Sequence, residues 1–181
     1  MSQVRFATTL ALFETFPKSV TKIAADPTDE PPIVFLKKLS AQRKFEDAIT
    51  FCAYLLPRRE AVWWAYGCTR AMLRDVSASR AGPLIAAEAW VRNPDDEHRR
   101  AALAIGIQSE NNDPLTWVAL SAGWSGGALH SQFPVQVPAY MTPRAARIAI
   151  LLSARMVKPD QYAARMQACI VDGIRLAETG L

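Results

Sequence analysis

The chain has 181 residues, of which 50% are hydrophobic and 21% are charged, and its formal net charge is +4. This balance is typical of a globular domain and excludes an intrinsically disordered chain. No apolar run reaches the roughly 18 residues of a transmembrane helix, and the apolar stretch "ATTLALF" lacks a signal-peptide cleavage site, so we expect one cytoplasmic domain without membrane insertion.

The first half of the chain shows helical periodicity. Apolar residues recur every three or four positions between residues 10 and 23, where Pro17 is predicted to interrupt the helix. The segment "DPTDEPP" predicts a hinge. The same periodicity covers residues 33 to 56, with the polar stretch "SAQRKFEDA" as a predicted short break.

The stretch "LPRREAVWWAYGC", residues 56–68, follows. Pro57 predicts the end of one helix and the start of the next. A segment that is apolar on nearly all sides is typical of a helix surrounded by other helices, and this interpretation makes its tryptophans core anchors. The alternative interpretation makes Arg58, Arg59 and Trp63 a partner-binding edge, with Arg59 one turn before Trp63 for a cation–π contact.

Later helix starts are predicted by prolines, namely Pro83, Pro94, Pro114, Pro143 and Pro159. Three polar residues each precede one of these prolines and are predicted helix caps: Asn93, Asp113 and Thr142. Strand-like alternation is confined to "FPVQVPAY", whose prolines argue against a paired strand. The pattern predicts an all-α fold of about seven or eight antiparallel helices, arranged as a bundle or a helical-hairpin superhelix.

We expect residues 1–181 to form a single helical domain. It comprises an N-terminal helical segment and hinge (1–30), a helical core (31–125), a long loop (126–142) and a C-terminal helical pair (143–179). Three tryptophans, Trp63, Trp90 and Trp117, are 27 residues apart. Their flanking sequences share little, so we interpret the spacing as coincidental and keep a degenerate helical-hairpin repeat as the alternative.

Charge and cysteine spacing exclude several functions. The arginines occur in separate groups, Arg58 with Arg59, Arg99 with Arg100, and Arg144 with Arg147, which favours solvated helix faces over a nucleic-acid surface. The cysteines are scattered, at Cys52, Cys68 and Cys169, which favours reduced core thiols over disulfides or zinc. There are two histidines, and the acids beside His98 are consecutive and therefore do not converge, so no metal or cofactor is expected.

The stretch "GWSGG", residues 123–127, matches the pattern of a hydrolase nucleophile elbow around Ser125. Such an elbow requires a preceding strand, whereas a helical pattern precedes it here. His130 follows five residues later with no carboxylate between, which does not fit a catalytic triad. We therefore expect no catalytic residue here, and the glycines predict a helix stop.

Residues 126–142, "GGALHSQFPVQVPAYMT", form an uncharged, long and partly apolar connection. Connections of this kind either pack over a core or carry function. The apolar content favours packing, and partner contact remains the alternative. The candidate partner-binding residues in and after this connection are His130, Phe133, Val135, Tyr140, Arg144 and Arg147.

Four segments, "EPPIVFLKKL", "AYLLPRREAVWWA", "WVRNPDDEHRRAA" and "WSGGALHSQFPVQVPAYMTPRAARIAILLSA", resemble a bacterial family of uncharacterised helical proteins. The resemblance covers residues from about 10 to about 178, and "PRREAVWW" and "WSGG" are its most specific parts. It implies a cytoplasmic protein that accompanies type VI secretion components, and it implies no catalytic residue.

These observations favour a non-enzymatic protein–protein interaction module. The expected partner is another protein, such as a component or effector of a secretion system for which this chain is an accessory or adaptor. One alternative is a small-ligand-binding protein or enzyme with a pocket between helices, recognisable by a deep cavity that gathers Arg144, Arg147, His130 and a buried glutamate. Another is an immunity-type inhibitor of a toxin.

Overall fold

The computed structural model describes residues 4–17, 21, 23–109, 113–128 and 135–181. These residues form nine α-helices and one short 3-10 helix, Ala78–Arg80. The α-helices are α1 (Thr9–Thr15), α2 (Pro32–Ala41), α3 (Phe45–Leu55), α4 (Arg58–Leu73), α5 (Gly82–Arg92), α6 (Asp96–Gln108), α7 (Pro114–Gly123), α8 (Met141–Arg155) and α9 (Pro159–Thr179). The prediction of a single all-α domain is confirmed, with α1 contributing only seven residues.

Proline and acidic residues begin the later helices, largely where the sequence predicts them. A proline occupies the first turn of α5, α7 and α9, where its missing N–H removes no helical hydrogen bond. Asp113 caps α7 as predicted, because its carboxylate accepts the N–H of Leu115 at 3.0 Å.

Two predicted caps are wrong. Asn93 ends α5, and Asp95 caps α6 instead, because the extended backbone of Asp95 lets its carboxylate accept the N–H of His98 at 2.8 Å. Thr142 lies inside α8, where its buried hydroxyl donates to the backbone carbonyl of Trp124 at 2.9 Å. Both residues precede a proline, so the proline alone does not locate a cap.

Helix α4 is the centre of the fold and packs against α5, α7, α8 and α9. Trp64 is fully buried, and its indole Nε1 donates to the backbone carbonyl of Cys169 at 2.7 Å. Helix α9 approaches closely at Gly173, where an added Cβ would stand 2.4 Å from Cys52 Sγ and 3.1 Å from the Trp64 ring. The predicted core role of this helix is therefore correct on the faces that meet its neighbours.

All three cysteines are free and buried, as the sequence predicts. One side of α4 departs from the prediction of burial all round, because Gly67, Arg70 and Ala71 are exposed. Within the described ranges, no helix has the length and apolarity to cross a bilayer.

Candidate functional site: the loop after helix α7

Helix α7 ends at Gly123, and the "WSGG" turn that follows redirects the chain. Gly127 has a φ of 66°, the left-handed region that favours glycine, and a Cβ there would stand 3.0 Å from the Arg99 guanidinium. Ser125 is buried at 8% exposure, and a helix rather than a strand precedes it. The predicted helix stop is confirmed, and the strand–turn–helix geometry of a nucleophile elbow is not present at this serine.

Arg99 of α6 anchors the turn from inside the protein. Arg99 is 4% exposed, and its guanidinium donates to the carbonyls of Gly123 at 3.1 Å and Ala128 at 3.4 Å. Two further bonds, at 2.8 and 2.6 Å, reach the carboxylate of Asp96, and these hydrogen bonds lower the pKa of Asp96. The buried cation is therefore paired and hydrogen-bonded, as a buried charge must be.

Two other helices bind the carbonyls between those that Arg99 holds. Arg58, in the first turn of α4, donates to the carbonyl of Ser125 at 2.9 Å. Thr142 of α8 donates to the carbonyl of Trp124 at 2.9 Å. The "PRREAVWW" and "WSGG" segments, which are far apart in sequence, thus meet through a hydrogen bond between side chain and backbone.

The two limbs of the long connection leave this turn side by side. Ala128 and Gln136 form an isolated antiparallel bridge, and the N–H of Val137 donates to the carbonyl of Gly127 at 3.0 Å. Val137 is 6% exposed and fixes the returning limb to the protein. We call residues 124–128 together with residues 135–137 the loop base.

The apolar and aromatic residues of this connection differ in their exposure to solvent. Val135 is 60% exposed and Tyr140 is 39% exposed, so both side chains can be reached from solvent. His130 and Phe133 lie outside the described residues. Val137, an apolar residue of the same stretch, packs inward, so the connection contains both a packed part and an exposed part.

The candidate arginines are mostly bound within the chain. Arg59 donates to the carbonyl of Val91 at 2.7 Å, which joins α4 to α5, and Trp63 stacks on Tyr66 with ring centroids 5.0 Å apart. Among the described residues, Arg59 does not lie over an aromatic ring, so the structure shows no cation–π contact between Arg59 and Trp63.

Arg147 donates to the hydroxyl of Thr50 at 2.7 Å and so joins α8 to α3, whereas Arg144 is exposed. In the described part of the chain, no group of three or more histidine, cysteine, aspartate or glutamate side chains could hold a metal ion. His98 forms a pair with the Asp95 that caps its own helix, with 2.8 Å between ring Nδ1 and carboxylate oxygen.

Residues 35–177 match the model of a family described as "Family of unknown function (DUF6931)". The chain belongs to this family. The match confirms the resemblance to an uncharacterised family, and it spans most of α2, helices α3 to α8, the loop base and most of α9. No curated protein and no solved structure matches the chain significantly.

In this DUF6931 chain the role of Arg99 differs from the prediction, because the pairing of Arg99 with Arg100 in the sequence predicts a solvated helix face, whereas Arg99 is buried. The buried residues of α6 are Arg99, Ala102, Leu103 and Gly106, which follow the spacing of a single helix face. That periodicity places Arg99 on the buried face and Arg100 beside it in solvent. The spacing of the buried positions along α6 is therefore the sequence signal that distinguishes Arg99 from Arg100.

Proposed function

We propose that this protein is a non-enzymatic protein-binding module that presents residues 126–142 to another protein. The observation that carries the proposal is the loop base: Arg58, Arg99 and Thr142, from three different helices, each hold its backbone. Holding one turn in this way uses one buried cation and two further side chains. Three side chains that fix the position of one turn are expected where the following connection must be held in place to bind a partner.

A rigid base favours binding because less conformational entropy is lost when a partner docks. Val135 of the loop base and Tyr140, which directly precedes α8, are exposed, and they are an apolar residue and an aromatic residue with a polar tip. Tyrosine is enriched at protein interfaces and supplies a large contact area with few rotatable bonds.

We further propose that the partner is a component or effector of a bacterial secretion system and that this chain is a cytoplasmic accessory or adaptor. This finer proposal is supported by the resemblance of "PRREAVWW" and "WSGG" to bacterial proteins that accompany type VI secretion components. The partner's surface would offer an apolar patch with hydrogen-bond acceptors for the Tyr140 hydroxyl.

The test is a quantitative pull-down from the native host, with proteins identified by mass spectrometry, using wild type and Val135→Glu. Val171→Glu is the matched control, because Val171 is the same residue type and is 56% exposed, on α9. We expect Val135→Glu to lose a partner that wild type and Val171→Glu retain. Identical partner lists for all three proteins would refute a binding role for the loop.

A further inference from the structure

The second half of α4 carries an open face that the loop proposal does not use. Gly67, Arg70, Ala71 and Arg74 are exposed along this face, and Arg165 of α9 borders it. Arg70 lies 12 residues after Arg58, which at about 1.5 Å per residue places it roughly 18 Å along the helix from the loop base. The two surfaces are therefore separate.

A depression lies on each side of this face. The one toward α5 has a volume of about 280 Å³ and an apolar wall made of Val76, Ala81, Leu84 and Ile85. The one toward α9 has a volume of about 240 Å³ and is lined by small and apolar side chains that include Ala71, Met72 and Ala168. A shallower depression over Gly67, Arg70, Ala71, Arg74 and Arg165 adjoins both, so the three form one groove across α4.

The groove is lined by three arginines and two acids, which leaves an excess of positive charge. Arg74 and Arg165 form no ion pair with any other residue that the structure describes. Arg70 donates to the Tyr66 hydroxyl at 2.9 Å and forms no ion pair with a described residue. The two acids of the lining each pair with an arginine outside the groove, Glu88 with Arg92 and Asp172 with Arg175. Glu88 also accepts from Tyr66 at 2.9 Å and so connects to Arg70 through that hydroxyl.

Gly67 leaves room at the centre of the groove. A Cβ added there would meet no atom within 4 Å, so packing against a neighbouring helix does not require this glycine. A glycine inside a helix is destabilising relative to alanine. The open space that it leaves lets a bound chain pass close to the α4 backbone.

We propose that the α4 groove binds an extended acidic segment of a partner protein. Carboxylates of the segment would pair with Arg70, Arg74 and Arg165, since guanidinium groups bind carboxylates through paired hydrogen bonds. An apolar side chain of the segment would enter the depression toward α5. Three arginines between apolar pockets fit a short acidic peptide better than a nucleic acid, which requires a longer basic track and stacking aromatics.

The probe is a fluorescein-labelled peptide with a run of glutamates between two leucines, titrated with the full chain and followed by fluorescence anisotropy. The control peptide carries glutamines in place of the glutamates. The charge variants are Arg74→Glu and Arg165→Glu, and their matched control is Arg155→Glu, an exposed arginine in the last turn of α8. Gly67→Gln is a steric variant that keeps the charge of the groove.

We expect Arg74→Glu, Arg165→Glu and Gly67→Gln each to weaken binding of the acidic peptide by about fivefold or more, and Arg155→Glu to leave it within about twofold. Gly67→Gln should do so with an unfolding midpoint no lower than that of wild type, which separates loss of the groove from loss of folding. Equal binding of both peptides, or wild-type affinity in Gly67→Gln, would overturn the proposal. Tighter binding of single-stranded DNA than of the acidic peptide at the same groove would also overturn it. Because the loop base is intact in every variant, these outcomes do not depend on whether the loop binds a partner.

Discussion

Replacing Arg99 by methionine tests whether the buried guanidinium holds the loop base. The substitution keeps a long apolar stem but leaves the carbonyls of Gly123 and Ala128 without their donors. A buried carbonyl without a partner costs about 1–3 kcal/mol. The pair with Asp96 adds less than about 1 kcal/mol, because that carboxylate is 56% exposed and also binds Arg100. Because Ala128 is only half-buried, its carbonyl can bind water, so the Gly123 carbonyl and the pair together give a total loss of about 1–4 kcal/mol.

The assay is urea unfolding, with Arg100→Met as the control. Arg100 is the next residue and binds the same carboxylate, but it is 55% exposed, so its replacement should cost less than about 1 kcal/mol. Hydrogen exchange of the Val137 N–H, which donates to Gly127, should accelerate in Arg99→Met and not in Arg100→Met. Equal losses of stability for the two variants would refute the anchoring role of Arg99.

Three further predictions concern two helical glycines and the buried thiols. Gly67→Ala should stabilise the protein by about 0.5–1 kcal/mol, because its Cβ enters open space, and an unchanged or lower urea midpoint would contradict this. Gly173→Ala, the same change on α9, should destabilise by about 1–3 kcal/mol, because its Cβ would overlap the Cys52 sulfur, and a neutral effect would contradict the close packing. Burial raises the pKa of the Cys52 and Cys68 thiols, whereas unfolded thiols ionise near pH 8.5. Above that pH the unfolded chain releases protons that the folded chain keeps, so stability should fall by up to about 1.4 kcal/mol per pH unit for each thiol; a rise would contradict this sign.

The helical class could be predicted from the sequence because it depends on local signals. Apolar residues at helical spacing and prolines at helix starts are properties of short segments, and α4, α7 and α9 begin at or just after the expected prolines. The caps were less predictable because neighbouring polar residues compete for one position, as Asp95 does with Asn93.

The loop base could not be predicted because it depends on distant residues. The sequence places Arg58 and Ser125 far apart, and nothing local indicates that a guanidinium of one binds the carbonyl of the other. The exposed face of α4 could not be predicted from the sequence for a related reason. Gly67 and Ala71 are small and suit a helix interface, and only the positions of α5 and α9 show that no helix covers them.

The most direct test of a protein-binding loop is site-specific photocross-linking in the native host. A photoreactive amino acid placed at position 135 lies beside the loop base, and one placed at position 171 lies on α9 with similar exposure. We predict a discrete cross-linked adduct from position 135 and none of the same mass from position 171. No adduct from position 135, or the same adduct from both positions, would contradict the proposed function.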